Sequence, residues 1–192
     1  MIIGVVGKIA AGKTTVAKIL EGRGFCRVSC SDPLIDLLTG KIEEYSWVPE
    51  VPARREPTRD TLIEYGRHLK TTYGGDILIR LALDKKRDCE KVVIDGVRSI
   101  EEVRAIKERG GLVVYVDAPA ELRYERLRAR KAGKDRVITS YEDFLRMDEA
   151  EEELYHTTTL KEIADVVIDN SGSLDDLREE VEKLLYLLPK RP

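Results

Sequence analysis

The sequence predicts an α/β fold: a five-stranded parallel sheet with helices covering both faces, in three layers. Two observations predict it. Short apolar, β-branched runs recur five times along the chain, and each is followed by a stretch with helical periodicity. In addition, 192 residues suit one domain, or one domain with a small inserted lid, and are enough to bury a substantial core.

The elements follow in order. Ile2, Ile3, Val5 and Val6 form a buried strand, and TTVAKIL, after a glycine-containing loop, begins a helix. Phe25 to Cys30 alternates as a second strand, and Ser31-Asp32-Pro33 starts a helix that runs through Leu38 and stops at Gly40. Lys41 to Pro57 carries Pro49, Pro52, Pro57 and Trp47 and reads as an extended loop. Thr58 caps a helix to about Tyr73. Gly74-Gly75 breaks it before another helix, with Ile77, Leu78, Leu81 and Ala82 at amphipathic spacing.

Lys91 to Asp95 is the third strand, followed by a helix from about Ser99 to Arg109 that ends at Gly110-Gly111. Leu112 to Asp117 is the fourth. Pro119 opens a helix to about Arg130, the basic linker KAGKDR follows, and Ser140 starts a Glu-rich helix. Asp165 to Asp169 supplies the fifth strand, and NSGSLDDL turns into a terminal helix ending before Pro189. This alternation gathers the carboxyl ends of the strands on one edge, where open sheets of this kind bind ligands.

A net charge of -3 and a pI near 5.6 argue against nucleic acid as the main partner, because that binding relies on a basic face. No apolar run approaches the ~20 residues that span a bilayer, and the first strand begins at Ile2 with no room for a signal peptide. A soluble cytoplasmic protein is expected. Cys26, Cys30 and Cys89 are odd in number and lack CxxC spacing, so reduced thiols in or near the core are expected. The 36% charged content, the absence of Gln and the single Asn, Asn170, match a thermophile's composition.

The residues with most chemistry are GKIAAGKT, Gly7 to Thr14, which match GxxxxGK[ST] at every fixed position between strand and helix. Backbone N–H groups of such a loop, Ala10 and Ala11 included, form a concave nest for phosphate oxygens, and the helix adds its positive end. Gly7 and Gly12 permit the close approach. Lys13 is placed to reach the β- and γ-phosphates, Thr14 to ligate Mg²⁺, and Thr15 to hold an inner phosphate oxygen.

Asp95 closes an apolar strand at the same edge, where a carboxylate would hold Mg²⁺; the alternative is a plain turn cap before Gly96. Arg98, three residues on, is suited to bidentate binding of a substrate phosphate. Asp32 either contacts the acceptor or caps its helix with Ser31. Arg59 and Arg67 either grip the acceptor or lie on the surface. Arg123, Arg126 and Arg130 fall on one side of a helix and lead to Arg136, as in a lid that closes over a transferred phosphoryl group. The alternative is a solvated basic face that pairs with the acidic run Asp148 to Glu153. Asn170-Ser171-Gly172 fits a base-side loop or a simple turn, and His68 and His156 show no triad or metal spacing.

On these residues the chain resembles the nucleoside monophosphate kinase group of P-loop NTPases, most closely the deoxynucleoside monophosphate kinase and dephospho-coenzyme A kinase branch. The similarity is carried by the phosphate loop together with VSCSDPL, TRDTLIEYG, VVIDGVRSIEEVRAIKERGG and VVIDNSGSLDDL, in that order over nearly the whole chain. The resemblance implies a single domain, with 41–75 on the acceptor side and 123–156 as a small helical lid, and it implies ATP with Mg²⁺ as phosphoryl donor. Lys13, Arg126 and Arg130 would stabilise the transferred group, with Arg136 and Asn170 on the nucleotide. Arg59, Arg67, Arg98 and Asp32 would hold a small-molecule nucleotide acceptor. A nucleoside monophosphate acceptor needs an arginine clamp, whereas the hydroxyl of dephospho-coenzyme A needs a base, for which Asp32 is the candidate. SCSDP departs from the DAD-like motif of the latter kinases, which favours the monophosphate. A regulatory ATPase without kinase activity is the third reading, and oligomeric state is open.

Overall fold

Alternate residues of the central strands face opposite helical layers. Ile3, Val5, Val93, Val114, Val116 and Ile168 pack with Val16, Leu20, Leu177 and Val181 on one face. Val6, Val28, Ile94, Val113 and Tyr115 pack with Leu37, Leu69, Leu81 and Ile106 on the other. This division is what a parallel sheet buried on both sides requires. The computed structural model describes residues 1–49, 54–129 and 140–188.

The elements are β1 (Ile2–Val6), α1 (Lys13–Glu21), β2 (Cys26–Ser29), α2 (Asp32–Thr39), α3 (Arg59–Tyr73), α4 (Ile77–Lys85) and β3 (Val92–Asp95). They continue with α5 (Ile100–Glu108), β4 (Leu112–Asp117), α6 (Ala120–Ala129), α7 (Tyr141–Tyr155), α8 (Thr157–Ile163), β5 (Val166–Asp169) and α9 (Leu174–Leu187). The strands form one parallel sheet in the order β2-β3-β1-β4-β5. β1 lies at its centre, so the loop that follows it emerges in the middle of the carboxyl edge, beside the ends of β3 and β4.

The sequence signals act locally as expected at several helix ends. The Thr58 side chain accepts from Thr61 N–H to start α3, Ser140 does the same for α7, and Ser99 and Ser173 head capping boxes on α5 and α9. One boundary differs. The single Glu-rich helix expected after Ser140 is two, α7 and α8, divided at His156, whose φ of 50° lies in the left-handed region. Glu152 holds that corner, accepting from the Thr157 hydroxyl and from Thr158 N–H.

The cysteines also differ from expectation: Cys26 and Cys89 form a disulfide, and only Cys30 is a free thiol, buried in the core. The parallel register explains the pairing. Cys26 lies opposite Val92, and Cys89 precedes Val92 by three residues, which brings the two Cα atoms to 6.2 Å, within bridging range. The bridge sits at the amino end of β2, the end of the sheet away from the phosphate loop. No helix among the described residues is long and apolar enough to cross a membrane.

Candidate active site

The loop after β1 has the backbone its glycines allow. Gly7 has φ 142° and Gly12 φ 107°. A Cβ on Gly7 would fall on the Val116 carbonyl oxygen, and one on Gly12 would fall on the Asn170 amide nitrogen. Ala10 also takes a positive φ, 58°, and its methyl is buried against Leu127 and Phe144, whose packing holds it there. Gly12 is the N-cap of α1 and has no capping side chain, so the first N–H groups of the helix turn toward the loop. Lys13 Nζ donates to the carbonyls of Gly7 and Lys8, each at 2.7 Å, which keeps its ammonium on the loop. Thr15 N–H donates to the Gly12 carbonyl as α1 begins.

The exposed Thr14 hydroxyl donates to Asp95 Oδ2 at 2.8 Å, joining the start of α1 to the end of β3. Asp95 is 7% exposed, an acidic side chain buried at a strand end with this hydroxyl as its partner. Two hard oxygens at one point fit Mg²⁺, which is commonly bound by few protein oxygens and keeps several waters. The donor set and the helix N-terminus therefore suit a nucleotide phosphate with its magnesium ion.

On the other side of the loop, one cleft is lined by Gly7, Lys13, Arg98, Glu151, Tyr155 and Thr157. The Arg98 guanidinium lies over the Tyr155 ring, 5.0 Å from its centroid. Its backbone is held by Glu102, a carboxylate only 1% exposed, which accepts from Arg98 N–H at 2.7 Å and pairs with Lys70 of α3 at 2.7 Å. Asp32 caps the turn after β2, with Oδ2 accepting from Ser29 N–H at 2.7 Å. Arg59 and Arg67 are exposed on α3 and line no part of this cleft.

The arginines of α6 diverge rather than form one free basic face. Arg123 is 3% exposed and forks onto Asp148 of α7, with Nη1–Oδ1 at 2.5 Å and Nη2–Oδ2 at 2.8 Å. It also donates to the carbonyls of Ala118 and Ile9. Arg126 Nη2 donates instead to the Asn170 carbonyl at 2.8 Å. Asn170 is 5% exposed, and its amide donates to the Ala11 carbonyl at 2.7 Å, so its side chain props the phosphate loop from below. Arg130 and Arg136 lie outside the described residues.

Partial burial opposes ionisation of Asp148, but the Arg123 fork and the nearby Lys8 ammonium hold its carboxyl below the ordinary value. Glu152 is likewise opposed by desolvation, yet the Thr157 and Thr158 hydrogen bonds and Lys8 bring its pKa down to about 2. Burial pushes the Cys30 thiol well up, so this cysteine beside the site is neutral and unreactive.

Several of these residues escape a reading of the sequence. Glu102 could have been found, since Ser99-x-x-Glu102 is a capping-box pattern. Glu151, Tyr155 and the partnership of Lys8 with α7 give no such signal, because helix and loop are separated by more than a hundred residues.

A family model described as an AAA domain matches residues 3–156. A UPF0200 protein from Pyrobaculum aerophilum is 31% identical, over 97% of this chain and 98% of its own. The chain belongs to the UPF0200 family. Among solved structures, the UPF0200 chain is similar to shikimate kinase from Acinetobacter baumannii, in complex with shikimate. That likeness has a TM-score of 0.55 at 24% identity and covers 97% of this chain and 91% of that one. It is also similar to dephospho-CoA kinase from Campylobacter jejuni, with a TM-score of 0.51 at 18% identity, covering 96% and 95%. At these identities the likeness is one of fold: a three-layer, kinase-like P-loop fold on a five-stranded parallel sheet.

Proposed function

We propose that this protein is a cytoplasmic phosphotransferase that moves the γ-phosphoryl group of Mg²⁺-ATP onto a (deoxy)nucleoside monophosphate. The observation that carries the reading is the convergence, at the carboxyl edge of the sheet, of Lys13, the Thr14–Asp95 oxygens and Arg98, with Lys13 and Arg98 bordering one narrow cleft. The donor supplies the reactive group, and the protein's part is positioning and charge neutralisation. Lys13 would leave the carbonyls of Gly7 and Lys8 for the phosphates. Thr14 and Asp95 would hold the metal, and Arg98 would orient the acceptor's phosphate; Arg59 and Arg67, exposed on α3 outside the cleft, would join it only by moving toward a bound acceptor. Arg126 and Asn170 would border the nucleotide side, and Arg130 and Arg136 are assigned to the same role on the sequence alone. Segment 41–75 serves the acceptor and 123–156 the closure of one domain.

A monophosphate brings its own anionic nucleophile, so no base is needed. The second reading is a hydroxyl acceptor, as in the dephospho-CoA and shikimate kinases that share the fold. Asp32 favours it to this extent: Ser29 N–H fixes one carboxylate oxygen and leaves the other for a hydroxyl proton.

A coupled ADP-release assay over ribo- and deoxynucleoside monophosphates, dephospho-coenzyme A and shikimate separates these readings. The proposal expects turnover that depends on a monophosphate. Turnover with a hydroxyl acceptor alone would replace it by the second reading, and acceptor-independent ATP hydrolysis would mark a regulatory ATPase.

A further inference from the structure

The phosphate loop carries two lysines, and they are held differently. Lys13 rests on carbonyls of the loop itself. Lys8 reaches out of the loop to α7, with Nζ 3.4 Å from Asp148 Oδ2 and 3.6 Å from Glu152 Oε2. Each of those carboxylates has a stronger partner elsewhere. Asp148 takes the shorter bidentate fork of Arg123, and Glu152 takes the Thr157 hydroxyl and Thr158 N–H. Withdrawing Lys8 therefore leaves neither carboxylate stranded, and the lysine side chain is partly exposed, at 28%.

A bound polyphosphate places several negative charges in the loop whose backbone bears Lys8. We propose that Lys8 is a second phosphate-directed cation, which exchanges its contacts with Asp148 and Glu152 for the phosphates of a bound nucleotide. Its release loosens α7 from the loop. Because α7 also carries Glu151 and Tyr155, which line the cleft with Arg98, nucleotide occupancy is thereby communicated to the acceptor side. This rests on the reading of the loop as a nucleotide site.

The test is calorimetric binding of Mg²⁺-ADP and a non-hydrolysable Mg²⁺-ATP analogue to wild type, Lys8→Met and Glu152→Gln, alongside amide hydrogen exchange of α7. Loss of one charge-assisted contact predicts affinity weakened about tenfold in Lys8→Met. Glu152→Gln removes a competitor for Lys8 and tightens binding a few-fold. In wild type, α7 exchanges faster once nucleotide is bound, and in Lys8→Met that change is absent. Thermal melting shows whether Lys8→Met is folded, and the Glu152→Gln result stands independently of it. Affinities within twofold of wild type in both variants, or α7 exchange that slows on binding, would overturn the inference while leaving the nucleotide site in place. No binding to wild type would overturn both.

Discussion

Lys13 and Thr14 are neighbours with separate duties: the ammonium of one lies on the loop, and the hydroxyl of the other bonds Asp95 across the edge of the sheet. Their effects on activity should separate as well. Lys13→Ala is expected to lower phosphoryl transfer about a hundred- to a thousandfold, the scale of losing one preorganised charge in a water-poor site. Its melting temperature should stay near wild type, since the side chain is only part-buried. Asp95→Asn should raise the Mg²⁺ concentration needed for half-maximal turnover at least about tenfold, read from a magnesium titration. Gly7 to Thr14 were legible in the sequence because the chemistry is contiguous, and Asp95 and Arg98 because a strand end fixes its own position. Tyr155 and Glu151 were not, because they join the cleft only when α7 packs beside α6 and α8.

Between elements, charge does the joining. Arg123 ties α6 to Asp148 of α7 and to the Ile9 carbonyl of the phosphate loop, so the pairing with the acidic run that the sequence offers as an alternative holds for Arg123, but as a buried strut rather than a solvated face. Asp148→Asn would leave that buried guanidinium without a counter-charge, and a loss of about 3–5 kcal/mol is expected in chemical denaturation. The helix break at His156 escapes the sequence because a left-handed turn at a residue other than glycine leaves no mark there. The capped starts of α3, α5, α7 and α9 were legible, each carried by a single Ser or Thr. The disulfide was illegible for another reason: Cys26 and Cys89 are 63 residues apart, and only the pairing of β2 with β3 aligns them. Cys26→Ser, or reduction, should cost about 2–4 kcal/mol in the same assay, as for a cross-link closing a long loop. Because the bridge lies at the amino end of β2, nucleotide affinity should be little changed.

Taken as a whole, the molecule places a parallel sheet beneath a site flanked by compensated charges, Asp148 and Glu152 of α7 against Arg123 and Lys8. The order β2-β3-β1-β4-β5 brings the ends of β1, β3 and β4 together around the loop; alternation of strands and helices was enough to read a parallel sheet, but not the order of its strands. The same compensation makes the fold sensitive to acid. Glu152, with a folded pKa of about 2 against an ordinary 4.5, and Asp148, also lowered, stabilise the native state only while ionised. Their contribution is complete above the unfolded values and is lost as pH falls toward about 2. Thermal melts should therefore show a falling midpoint below about pH 4.5, and a smaller fall in Glu152→Gln. The central claim is transfer to a phosphate acceptor, and phosphorus NMR of the protein with ATP, Mg²⁺ and a nucleoside monophosphate reads it directly. The account predicts that the γ-phosphorus signal of ATP is replaced by signals of ADP and of the acceptor's diphosphate in equal amounts. Conversion to ADP and inorganic phosphate alone, at a rate indifferent to the acceptor, would contradict it.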